Sequence, residues 1–159
     1  MLNSAFVFIK PHANTAAVRQ LTRQLLADKR ISIVREGELS GETIDKEKLI
    51  DQHYYAIASK ATLMTPEQLA VPESKFEAKF GVAWKSALSE KRALNAMQAC
   101  VELNCDAATL DKLWATAKNT NKLLKAGGGF YIGEIVRDGG KPSLFVLNGF
   151  FMAMREKFV

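Results

Sequence analysis

The alternation of apolar and polar positions divides the chain into recognisable elements. Ala5-Phe6-Val7-Phe8-Ile9 is a short apolar run that stops at Lys10-Pro11, and it reads as a strand. Val18, Leu21, Leu25 and Leu26 then recur at helical spacing, with Arg and Gln between them, which predicts an amphipathic helix from residue 14 or 15 to about 29. Ile31 and Ile33 alternate with polar residues before Gly37 and Ser40-Gly41, the pattern of a second strand over 31–39. A second helix is predicted from about 43 to 61, with Ile44, Leu49, Ile50, His53, Tyr54 and Ile57 inward.

From 62 to 125 the pattern is mainly helical. Thr65-Pro66-Glu67-Gln68 is a helix-start signal, a longer helix is expected over 82–103, and another begins after Asp106 and buries Leu110, Leu113 and Trp114. Gly127-Gly128-Gly129 ends the block. Phe130 to Val136 alternates as a strand, Asp138-Gly139-Gly140 marks a hairpin turn, Ser143 to Leu147 forms its second strand, and Phe150 opens a last helix to Phe158. There is no internal repeat.

Composition narrows the class. A chain of 159 residues, 48% apolar and 25% charged, suits one compact domain with a buried core. Lys and Arg exceed Asp and Glu by 22 to 17, but the charges are interleaved, as in Asp45-Lys46-Glu47-Lys48, so they form no phosphate-tracking stripe and argue against nucleic acid as a partner. No run approaches the length of a membrane span or of a signal-peptide core, which predicts a soluble, intracellular and most simply cytoplasmic protein. The two cysteines, Cys100 and Cys105, lack further ligands for a zinc set and read as reduced thiols.

Three short segments carry candidate chemistry. Lys10, at the exit of an apolar run, can set an ammonium over a phosphate, although a lysine there also reads simply as a solvent-facing charge. His53-Tyr54 lies in the helix after the second predicted strand, where the tyrosine also fits a core aromatic with its hydroxyl at the rim. Phe145-Val146-Leu147-Asn148-Gly149 leads into a helix bearing Arg155 and, next to its end, Lys157. The glycines at 127–129 lack a following Gly-Lys-Ser/Thr and run into a strand, so they read as a turn. Trp84 and Trp114 fit helical core positions.

Taken together, a strand ending in Lys-Pro, the order strand, helix, strand, helix, the His-Tyr pair and the strand ending in x-Gly resemble nucleoside diphosphate kinases. The resemblance covers about 4–61 and 130–157, with 62–126 as a helical insertion. It implies an α/β (α+β) fold: a ferredoxin-like antiparallel sheet with helices, in one domain spanning 1–159 and incomplete at its C-terminal side. It further implies a nucleoside di- or triphosphate carried with Mg2+ and held by Lys10, Tyr54, Arg155 and Lys157, in a homo-oligomer or larger assembly.

Asn148 stands where the family has Glu, and Lys157 where it has Arg, which keeps the charge but loses the bidentate fork. The family's phosphoryl-carrying histidine has no counterpart. His12 follows Lys10-Pro11 without a base beside it in sequence, so the catalytic residue is unknown. The expectation is therefore a non-catalytic nucleotide-binding or protein-interaction module. Its alternatives are a nucleoside diphosphate kinase completed by further sequence and a structural subunit without nucleotide.

Overall fold

A computed structural model describes residues 3–158. They fall into two compact units, each treated by itself: Met1–Glu47 with Lys157–Val159, and Lys48–Glu156.

In the first unit a 3-10 turn, Pro11–Ala13, leads to helix α1, Ala16–Asp28. Thr15 caps α1, its hydroxyl accepting the Val18 N–H at 3.3 Å, and Arg30 closes it with a left-handed backbone (φ 57°) as Ile31 N–H donates to the Leu26 carbonyl. On the polar face Arg23 pairs with Glu36 through both carboxylate oxygens, and Arg19 reaches Glu38 at 3.3 Å. Helix α2, Gly41–Lys46, follows with Ser40 as its cap. The apolar segments 5–9 and 31–39 are not strands. Alternation makes a strand only where a neighbour supplies a ladder, and among the described residues neither segment has one.

The helix expected over 43–61 is broken into α2, α3 (Leu49–His53), α4 (Tyr55–Ala58) and a π-turn, Ser59–Leu63. The cause is local. Asp45-Lys46-Glu47-Lys48 offers no apolar residue to continue the stripe, and Lys48 turns left-handed (φ 54°).

The second unit is a mixed sheet between two helical layers. Beyond a 3-10 turn at Pro66–Gln68 and helix α5, Glu73–Phe80, the single helix expected over 82–103 is replaced by α6 (Trp84–Ser89), β1 (Ala93–Asn95) and α7 (Ala96–Glu102). Lys91 at φ 54° ends α6, and Asn95 opens α7 with a reciprocal capping box: its side chain accepts the Gln98 N–H at 2.8 Å while Gln98 accepts the Asn95 N–H at 3.0 Å. Helix α8, Ala107–Asn119, begins at Asp106 as expected.

Strand β2, Leu123–Gly127, then turns through Gly128-Gly129 into β3, Phe130–Ile135; the glycine run is the turn read from the sequence, but it joins two strands where a helical block was expected before it. β4, Leu144–Leu147, and α9, Phe150–Glu156, complete the unit. The order is β1-β4-β3-β2, with β1 parallel to β4 and the other pairs antiparallel; the sheet is mixed, not wholly antiparallel. β1 and all but the last residue of β2 come from residues 62–126, so the block expected to be a helical insertion supplies the two sheet edges.

Every residue of β4 is buried, as suits a strand covered on both faces. Leu144 and Val146 join α7, α8 and α9 in a cluster around Leu110, Trp114 and Phe151. Phe145 and Leu147 face the other way, onto Phe76 of α5 and Trp84 of α6. Among the described residues no helix is long and apolar enough to cross a membrane.

Candidate functional site

Lys10 precedes the 3-10 turn with an extended backbone (φ −67°, ψ 150°), and its carbonyl accepts the Ala13 N–H at 2.9 Å. Pro11 stiffens this turn because its ring fixes φ. The Lys10 side chain is exposed and its Nζ lies 5.4 Å from the centre of the Phe158 ring, a cation–π distance. Phe8 meets the same ring edge-on at 6.0 Å, and exposed Lys157 directly precedes Phe158 in the chain. The first unit thus brings Lys10 to the segment that carries Lys157, and His12 is exposed in the turn between Lys10 and α1.

The other two expected residues lie in the second unit. Tyr54 ends α3, half-buried against the core, with the His53 ring at 4.7 Å and nearly perpendicular to its own. Arg155 on α9 gives its Nε to Asp51 of α3, at 2.9 Å from Oδ2 and 3.2 Å from Oδ1. Asp51 is 3% exposed and Arg155 11%, so this is a buried pair, and the Thr62 hydroxyl adds a 3.3 Å contact to Asp51 Oδ1. Arg155 therefore reaches the helix that carries Tyr54 with its guanidinium committed to a carboxylate.

Asn148, at the end of β4, is fully buried. Its Oδ1 accepts the Tyr131 N–H at 2.9 Å, and its Nδ2 donates to the carbonyls of Ile57 (3.1 Å) and Gly129 (3.0 Å). A glutamate has no such donors. Its role here is to tie α4, the β2–β3 turn and β3 to the end of β4.

A cleft of about 300 Å3, unforeseen from the sequence, is lined by Glu102, Leu103, Leu113, Val136, Arg137 and Lys141, with Asp138 at its side. Residues from three separate stretches meet there, which no local pattern announces. Arg137 is anchored across it, to Glu102 at 3.1 Å and to the Pro142 carbonyl at 2.8 Å. Among the described residues no group of three His, Cys, Asp or Glu side chains is placed to hold a metal ion.

No family model, no curated protein and no solved structure matches this chain.

Proposed function

We propose that this chain is a cytoplasmic nucleotide-binding or protein-interaction module of the nucleoside diphosphate kinase-like kind, its α+β fold a variant of the ferredoxin-like arrangement, and that it does not itself transfer phosphate. Lys10 carries the reading. Its ammonium stands exposed on a proline-stiffened turn, held over an aromatic ring, and it needs no rearrangement to meet a phosphate oxygen. Lys157 supplies a second cation near the same ring in sequence, and Mg2+ would arrive as the nucleotide's counter-ion. Tyr54 belongs to the second unit and is a separate candidate contact, its half-buried ring beside His53. Within that unit Arg155 fixes α3 through Asp51.

Calorimetric titration of the chain with ATP and with ADP, each with Mg2+, tests this. Binding is expected, and Lys10→Ala should weaken it roughly 10- to 100-fold, the loss of one charge-assisted hydrogen bond. A phosphate-exchange assay at the same protein concentration should give no turnover; exchange would replace this reading with a kinase.

A second reading, a structural subunit without nucleotide in an oligomer or larger assembly, draws on one observation. Phe6, Val7, Ile31, Val34 and Leu39 are all more than half exposed, and apolar side chains left in water favour a protein contact. Absence of nucleotide binding in the titration would favour it.

A further inference from the structure

Helix α7 ends in a motif that sets two thiols side by side. Asn104 takes a left-handed backbone (φ 46°), its N–H donates to the Val101 carbonyl at 3.1 Å, and the Cys105 N–H donates to the Cys100 carbonyl at 3.0 Å. These nested bonds define a Schellman ending, in which the side chains of the first and last residues meet on one side of the turn. Here those residues are Cys100 and Cys105, joined through the backbone by the 3.0 Å bond and close enough for each thiol to perturb the other. Both are free, partly exposed and packed at the margin of the core. A direct backbone hydrogen bond between the two is compatible with the α-carbon separations that disulfides span, ~4.4–6.8 Å.

We propose that Cys100 and Cys105 form a reversible intramolecular disulfide that staples the junction of α7 and α8, with a small-molecule disulfide such as oxidised glutathione as oxidant. The thiolate of one cysteine attacks the sulfur–sulfur bond of the oxidant, forming a mixed disulfide and expelling one glutathione thiolate. The thiolate of the other then attacks the protein-side sulfur, closes the Cys100–Cys105 bond and expels the second glutathione. Two electrons pass from the protein thiols to the oxidant, and the two thiol protons end on the two released glutathiones.

The order of attack follows from the surroundings. Burial, with Cys105, Glu156 and Asp106 nearby, pushes the Cys100 thiol up to about 11. Burial also lifts Cys105, the less buried of the two, which makes Cys105 the first nucleophile. Few thiolates exist at neutral pH, so the dithiol persists until oxidant accumulates. The closed ring would end immediately before Asp106, the residue whose carboxylate caps α8.

The test is incubation of the full, folded chain with oxidised glutathione at mildly alkaline pH, followed by an acid quench and intact-mass measurement. The native chain is expected to lose two hydrogens, keep no glutathione, remain monomeric by mass and recover its mass with dithiothreitol. Cys100→Ser and Cys105→Ser are each expected to retain one glutathione. An unchanged mass, a persistent glutathione adduct or a disulfide-linked dimer of the native chain overturns the proposal.

Discussion

Asn148 combines a left-handed backbone (φ 49°) with three side-chain hydrogen bonds in a site closed to solvent. Asn tolerates that backbone better than most residues, and its short carboxamide offers the acceptor and two donors needed here. Asn148→Ala is expected to lower stability by about 2–4 kcal/mol, because it strains the backbone and leaves the Tyr131 N–H unpaired. Asn148→Asp should cost more, since a carboxylate would face the Ile57 and Gly129 carbonyls without a donor; urea denaturation gives the order. Asp51–Arg155 obeys the same rule. Removing one partner, as in Asp51→Ala, strands a buried charge and should cost about 3–5 kcal/mol, whereas replacing both by apolar residues of similar volume should cost far less. At this scale the sequence showed the charges and the odd Asn but not their use. Arg155 and Asp51 are brought together by long-range packing, which no spacing rule encodes.

Trp114 sets the packing of α8 against the sheet. A Cβ on Gly133 would lie 2.7 Å from its ring, and one on Gly149 would lie 2.5 Å from it, so β3 and the β4–α9 link approach α8 only because both residues lack side chains. Gly133→Ala and Gly149→Ala are each expected to destabilise by about 1–3 kcal/mol, and Trp114→Phe to relieve part of the clash in a double-mutant cycle.

Asp106 governs the start of the same helix. Its carboxylate accepts the Thr109 N–H at 2.7 Å, and hydrogen bonding from Thr109 holds its pKa below the ordinary value. A depressed folded-state pKa means that this contribution is present above the unfolded pKa and is lost as pH falls through the folded one. Circular dichroism of the chain against Asp106→Asn should therefore show stabilities that converge in acid. Asp106 and the hairpin of β3 and β4 were legible in the sequence because cap, turn glycines and alternation agree. Strand β1 was missed because three residues between two helices continue the helical period. Asn95 and Gln98 form a capping box whose spacing could have revealed it.

The chain's two units differ in how much they bury. In the first, among the described residues, only Phe158 is buried, while Leu21 and Leu25 of α1 and Val34 remain more than half exposed. In the second, the sheet is covered on both faces. Amide hydrogen exchange is therefore expected to be faster by orders of magnitude in α1 than in α8 and β4, since protection follows local burial. The sequence assigned the apolar segments of the first unit to strands because their composition is that of strands; what it did not hold was a pairing partner, a property of the fold.

The two-sided burial of β4 has an optical consequence. The chain has two tryptophans, and each lies against a different face of the sheet: Trp114 on the side of Leu144 and Val146, Trp84 on that of Phe145 and Leu147. Each layer thus carries its own indole fluorophore, at 6% and 5% exposure, shielded from quenchers in water. Trp84→Phe and Trp114→Phe isolate the two signals. Because one strand anchors both layers, their emission should red-shift at the same denaturant concentration, once the shift in stability from each substitution is subtracted; separated midpoints would mean that one helical layer peels away while the other still glows blue.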